Sequence, residues 1–432
     1  MSKLRSLPGA LKFMYGNILV LTITRSLGMF CRSMVFPYAS LYLLALGGDP
    51  SQIGFVNSLN PLVGLIVFPI AGYLTDHAGR VKIIVIAGYV GAALILLFVF
   101  APNWQTIALA KLLLGFTVVQ FPPTSAINAD SLTPEQRGTV MATKNTLSGA
   151  LAIFAPYAAG AFLDAYDVKL GMRVLYALMA AANLASATLH LYFLKETSSR
   201  TPDRLRLADL PAAFKQAYGD IPAMLRQLPR SLKALAAVIT LSFVANAVAS
   251  AFWVVYATEH IGLSSTQWGS ILLLETLLRS VMYIPAGLIV DRHGRMRCIV
   301  GALLLSLLCT PTFVLATRFL HVLLIRLATA TATAFFIPAC SALMADTVPR
   351  NTRGRVMAAI GRGTVMLGAA AGGTGGPGMG FMTTVPVMIG CLAGGYLYAY
   401  HPALPWGFVL VATALSILLA LLLIRDPKHA ET

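Results

Sequence analysis

Acidic residues are scarce in this chain: 16 Asp and Glu stand against 32 Lys and Arg in 432 residues, and charged residues of both signs make up only 11%. Soluble domains carry about 25% charge, so a water-soluble globule is excluded. A disordered chain is excluded too, because 57% of residues are hydrophobic and the mean hydropathy is +0.77. Cysteine is also sparse. Cys31, Cys298, Cys309, Cys340 and Cys391 show no metal-ligand spacing, which leaves them to packing and gives no metal site. Neither a nucleophile paired with a base nor a convincing nucleotide loop is visible. Gly375-Gly-Pro-Gly could pass for a phosphate cradle, but no strand precedes it. No enzyme and no cofactor are expected.

What the chain has instead is long apolar runs. Spanning a bilayer takes roughly 20 mostly apolar residues. Twelve runs qualify, at 16–46, 52–74, 81–101, 105–127, 139–163, 172–194, 234–258, 267–290, 298–316, 320–344, 356–400 and 406–424. The first is too long for a cleavable signal and lacks a small-residue cleavage site. A net charge of +16 would suit nucleic acid, but its placement points elsewhere. Only Lys169, Arg173 and Arg318 fall on one side of the twelve runs, while the other side takes the remaining loop lysines and arginines. By the positive-inside rule both termini are cytoplasmic in a multi-pass protein of the cell membrane. The partner is the lipid bilayer, not nucleic acid. Trp104, Trp253, Trp268 and Trp406 fall near external run ends, where an aromatic belt is expected.

The chain also repeats itself. Gly72-Tyr-Leu-Thr-Asp76-His-Ala-Gly79-Arg80 returns as Gly287-Leu-Ile-Val-Asp291-Arg-His-Gly294-Arg295, 215 positions later. Asp130, seven residues before Arg137-Gly138, returns 216 positions later as Asp346 before Arg353-Gly354. These paired turns between apolar runs resemble the signature of the major facilitator superfamily of secondary transporters, and the resemblance covers nearly the whole chain. It implies an all-α membrane protein with the major facilitator fold, twelve transmembrane helices in two six-helix bundles. The bundles are expected at 1–194 and 234–432, working as a monomer with a central cavity lined by helices 1, 4, 7 and 10. In the family the turn latches the cytoplasmic side, which assigns gating to Asp76, Gly79, Arg80, Asp291, Gly294 and Arg295. Physically, Gly79 and Gly294 permit a tight reversal, and Arg80 and Arg295 can meet helix-end carbonyls or an acid across the interface. Asp130 with Arg137 and Asp346 with Arg353 are expected as supporting charge relays. Two weaker cues resemble drug exporters: Phe36-Pro37-Tyr38 at the end of run 1, and Ala155-Pro156, with Ala where the antiporter motif has Gly.

Two segments depart from the repeat. The basic linker 195–233, punctuated by Pro202, Pro211, Pro222 and Pro229, reads as a cytoplasmic tether, with Leu210–Tyr218 able to form a short amphipathic helix. In the eleventh run the offset between halves grows from 216 to 234, so it carries 18 extra residues around Gly372–Gly380. A continuous helix over 356–400 would reach about 65 Å, roughly twice the hydrocarbon thickness, so it must break. Hinge, re-entrant turn and external bulge all remain open.

The remaining chemistry is charge inside the runs: Arg25, Arg32, Lys111, Lys144, Arg279, Arg326 and Arg362 against the lone carboxylate Glu275. A charge at midplane costs at least about 2.5 kcal/mol on insertion scales, so such groups face a watery cavity or pair with one another. Arg25 and Arg32 share a helix face, and Glu275 and Arg279 can pair at i,i+4. Arg32, Arg25, Arg279, Lys144 and Arg362 are candidates for substrate binding, although Lys144 and Arg362 could instead snorkel to the headgroups. Glu275 is the candidate for proton coupling. Lys111 and Arg326, 215 apart, are candidates for gating, since the resemblance links a basic residue on helix 4 to coupling or gating. The expected activity is proton-coupled efflux of a small organic substrate, possibly anionic. An organic-anion or organophosphate exchanger or symporter, a lipid flippase and a sensor stay open, because fold does not choose among them.

Overall fold

The structure is a computed structural model. It describes residues 15–198, 228–348, 353–361, 364–369 and 380–424, with a few positions between 211 and 226. Among these, twelve helices are long and apolar enough to cross a membrane. They are α1 (Gly16–Ala45), α2 (Pro50–Thr75), α3 (Arg80–Val99), α4 (Trp104–Asp130), α5 (Glu135–Tyr166), α6 (Val168–Phe193), α7 (Arg230–Glu259), α8 (Ser265–His293), α9 (Arg295–Leu315), α10 (Phe319–Thr347), α11 (Met382–Tyr400) and α12 (Leu404–Leu423). The first six and the last six form the two bundles.

Local chemistry sets the helix ends, and it too repeats at 215. Asp49 caps α2 in a capping box with Gln52, and Ser264 caps α8 in the same way with Gln267. Prolines and short 3-10 turns bend the helices. Pro37 sits in the turn Phe36–Tyr38 of α1, and the turn Phe116–Gln120 of α4 runs into Pro122-Pro123.

The two bundles are sealed together at the end opposite the paired turns. Gly54 of α2 lies so close to Gly395 and the Cys391 carbonyl of α11 that a Cβ would come within 2.6 Å of that oxygen. Gly160 of α5 and Gly269 of α8 are packed as tightly across the same boundary. The Asp164 carboxylate accepts from the Ser265 and Thr266 N–H groups at 2.9 and 2.8 Å, an anion set on the N-terminus of α8. Tyr38 Oη donates to the Pro156 carbonyl at 2.7 Å and lies 3.1 Å from that of Ser265. One buried core, including Tyr38, Leu163, Trp253 and Trp268, crosses between bundles at this end. Toward the paired turns the described cores stay within their own bundles. Among the described residues, buried cores therefore join the bundles at one end, the sealed end, and none joins them at the other, the parted end.

Two expectations need correcting here, and one left open is narrowed. Trp253, Trp268 and Trp406 are fully buried and form no interfacial belt. Trp253 and Trp406 stack edge-on at 5.7 Å in a cluster with Phe313 and Tyr256, because aromatic area packs the bundle end better than it packs headgroups. Gly79 takes φ −62°, open to any residue, whereas Gly294 takes φ 91°, so only the second turn depends on glycine. Finally, the eleventh run is not one bent helix. A short helix Arg353–Ile360 stops at Gly361, and Gly380 packs back against its last turn, within 2.3 Å of the Ala359 carbonyl for an added Cβ. Gly361 and Gly380 therefore lie side by side, so the excursion between them begins and ends at nearly the same point. Within it, Val365 and Leu367 are buried in the core of the second bundle. That described stretch is no external bulge.

Most of the linker lies outside the described residues. Within it, Tyr218 Oη donates to the Leu65 carbonyl of α2 at 2.6 Å. Pro69, four residues on, has no N–H to offer that carbonyl, so the tyrosine satisfies an acceptor the helix leaves free.

Candidate functional site

Both bundles put a basic residue near the middle of the molecule, and its surroundings differ. In the second bundle Glu275 of α8 is buried and receives Arg326 of α10 through Nε at 3.0 Å and Nη2 at 2.5 Å. Arg279 reaches its other oxygen at 3.3 Å. The sequence suggested Arg279 as the partner of Glu275; the tighter partner is Arg326, a contact between helices that spacing along one helix does not reveal. Arg326 is fully buried, lies 4.6 Å over the Trp253 ring, and donates its Nη1 to the Gly368 carbonyl of the excursion. Asn246 of α7 accepts from Ala369 N at 2.8 Å, and Thr333 lies 3.1 Å from the Leu367 carbonyl. Irregular backbone in the membrane survives only where its polar groups find partners in protein, and here α7 and α10 supply them.

In the first bundle Lys111 of α4 donates to Asn57 Oδ1 of α2 at 2.5 Å. Among the described residues it has no ion-pair partner. Both residues line a cavity of about 110 Å³ among α1, α2, α3, α4 and α6, walled mainly by Phe36, Ile95, Phe98 and Met179, with Asn60 as a further polar group. Lys144 of α5 is buried rather than snorkelling, and donates to Asn128 Oδ1 of α4 at 2.6 Å. Arg25 and Arg32 are exposed, and with Phe36 they fall on one stripe of α1 at i, i+7 and i+11. Since Phe36 lines the cavity, the arginine stripe leads from it toward the parted end. Arg362 lies outside the described residues.

At the paired turns Arg80 forms an ion pair with Asp130, and Arg295 forms the equivalent pair with Asp346. Asp130 therefore pairs with Arg80 and not with Arg137, which donates instead to the Ala129 carbonyl at 3.1 Å. Both arginines pair within their own bundle, from the turn to the end of α4 or α10. Arg80 also donates to Thr197 Oγ1 at 3.0 Å, and Glu196 accepts from Val81 N at 3.0 Å, so only the first turn holds the start of the linker. Asp291 is exposed, while the side chains of Asp76 and Arg353 lie outside the described set. Sequence reading missed Asn57, Asn60, Asn128, Asn246 and Asp164. One signal was available: Asn60 and Glu275 are 215 apart, as are Lys111 and Arg326.

The family model of the Major Facilitator Superfamily matches residues 21–246 and 234–432, which together take in nearly the whole chain. The chain belongs to this superfamily. An uncharacterized MFS-type transporter of Methanocaldococcus jannaschii is 23% identical over 65% of this chain and 67% of its own length. A multi-drug resistance efflux pump PmrA homolog of Lactococcus lactis is 29% identical over 35% of this chain, which spans only 38% of that relative. Among solved structures, a bacterial homolog of the human lysosomal transporter Spinster, in an inward-facing and occupied conformation, superposes with a TM-score of 0.70. It is 14% identical, over 95% of this chain and 98% of the other. The nucleoside transporter NupG gives a TM-score of 0.66 at 13% identity, over 94% and 98%. At these identities the superpositions speak for the fold alone. As a major facilitator the protein is a membrane carrier and not an enzyme. The two ion-paired turns, the parted end and the charged centre are the parts a facilitator can move.

Proposed function

We propose that this facilitator is a proton-driven exporter of amphiphilic organic compounds in the cell membrane, with both termini in the cytoplasm. The parted end then faces the cytoplasm and the sealed end faces outward. The observation that carries the reading is the cavity beside the arginine stripe. Its apolar walls hold only a few polar groups, the composition of a site for a mostly hydrophobic organic molecule. The efflux-pump names among the relatives favour export over import.

Coupling is assigned to Glu275. A proton on that carboxylate removes the charge holding Arg326, and Arg326 also holds Gly368. Proton occupancy is thereby tied to the excursion beside α11, and transmitted by one guanidinium. In proteoliposomes, Glu275→Gln should lose pH-driven flux while keeping substrate counterflow, because Gln mimics the protonated acid. Wild-type pH-driven flux in Glu275→Gln sinks the assignment.

A second reading, exchange of organic anions without protons, is favoured by the charge count around Glu275, where two guanidinium groups face one carboxylate. Under that reading Glu275→Gln weakens substrate binding and leaves residual flux indifferent to pH.

A further inference from the structure

The two bundles are built on one pattern, and the position that differs between them identifies a ligand. Residues from the start of α2 to α4 map onto those from the start of α8 to α10 at a constant offset of 215: Asp49 on Ser264, Gln52 on Gln267, Arg80 on Arg295 and Lys111 on Arg326. At the same offset Asn60 maps onto Glu275. So the second bundle gives its central base a carboxylate from the neighbouring helix. Among the described residues the first bundle gives its own the carboxamide of Asn57, with Asn60 lining the same cavity. An ammonium has three N–H donors; that of Lys111 has Asn57 Oδ1 at 2.5 Å and opens on the same cavity.

We infer that Lys111 is the anchor for the carboxylate of an amphiphilic monoanion, whose apolar body lies against Phe36, Ile95, Phe98 and Met179. The ligand supplies the acid that the repeat omits. A single ammonium is neutralised by a single negative charge, whereas a dianion would leave a charge unpaired in an apolar chamber. A cation would meet Lys111 with like charge. Lysine also suits varied ligands better than the arginine of the other bundle, since it is a point charge on a flexible stem and imposes no bidentate plane.

This deepens the exporter reading by naming the substrate's head group, but the site can be tested without transport. Purified full-length protein in nanodiscs is titrated with a fluorescent naphthylalkyl carboxylate and, separately, with its primary amide. The carboxylate should bind at least tenfold more tightly than the amide. Lys111→Met should abolish that preference and Lys111→Arg should keep it. Asn60→Asp, which builds into the first bundle the acid of the second, should abolish carboxylate binding and spare the amide. Equal binding of the two probes to wild type overturns the inference, as does a preference that survives either Lys111→Met or Asn60→Asp. Should Lys111→Met not fold, the wild-type probe pair and Asn60→Asp still decide. A carboxylate preference without pH-driven efflux leaves the site standing and removes the exporter, and efflux with no preference does the reverse.

Discussion

Lys111 and Arg326 occupy equivalent places in equivalent helices, yet one faces amides across an open cavity and the other is locked to a carboxylate in a packed core. A buried base with its acid fixes structure. A base left with amides keeps donors for something that comes and goes. The first bundle also carries the larger cavity and the exposed arginine stripe, while the second carries the backbone excursion that Arg326 holds. On the proposed reading, one bundle receives the substrate and the other reports the proton.

Breaking the locked side should give the largest effect. Arg326→Met leaves Glu275 with the longer Arg279 contact at 3.3 Å and releases the Gly368 carbonyl, and removing one partner of a buried pair costs about 3–5 kcal/mol. Thermal unfolding in detergent should fall steeply, and adding Glu275→Leu should recover most of the loss. Lys111→Met, at the matching place, should cost less than about 1 kcal/mol, since Asn57 keeps its own amide in a cavity where water can reach it. Similar losses in the two variants would remove the distinction between a structural and a receptive base.

The turns offer a sharper comparison at lower stakes. Gly294 stands at φ 91° and ψ 148°, a region essentially restricted to glycine, so Gly294→Ala should destabilise by about 1–3 kcal/mol. Gly79→Ala meets no such strain, and its nearest neighbour, Glu196 Oε2, would stay at 3.5 Å from the new Cβ. Differential scanning fluorimetry of the two alanine variants separates them. A matching pair of melting temperatures would mean that the second turn relaxes.

Much of the fold was legible because it is written twice. The paired turns announce two bundles, and the run lengths announce the twelve helices. The shift in offset locates the excursion. The charged centre was half legible. Spacing along one helix finds Arg279 beside Glu275, but it cannot find Arg326 on another helix. Only the constant offset, applied to Asn60 as well as to Lys111, points to that pairing. The tryptophans misled for a related reason, since nearness to a helix end says nothing about which way a ring faces. Trp268 is four residues into α8 and still points into the seam between bundles.

The ion pairs at the turns should matter little to stability and more to transport. Arg80–Asp130 and Arg295–Asp346 are partly exposed, and such pairs contribute less than about 1 kcal/mol each. Arg80→Ala and Arg295→Ala should therefore melt close to wild type while slowing flux in proteoliposomes. Arg80→Ala should slow it more, because that arginine also holds Thr197 at the start of the linker. Wild-type flux in both variants would discard the gating role of the turns.

The smallest effect on stability is expected at Tyr218, and it probes the connection between the bundles. Its hydroxyl serves a carbonyl that Pro69 leaves free, and losing one half-exposed hydrogen bond of this kind is worth about 0.5 kcal/mol. Its position matters more than its energy. Gly54, Ser58, Pro61 and Leu65 follow one another at intervals of four, three and four, so they form a single stripe of α2. At the sealed end that stripe receives α11 through Gly54 and Gly395, whereas at Leu65 it receives Tyr218. If closing the parted end brings the bundles together along this stripe, a tyrosine at Leu65 opposes it. Tyr218→Phe should leave melting nearly unchanged yet raise the closed population. Spin-label distance distributions between cysteines placed at Tyr73 and Arg297 would read that shift. A distribution identical to wild type would reduce Tyr218 to a cap on a proline-kinked helix.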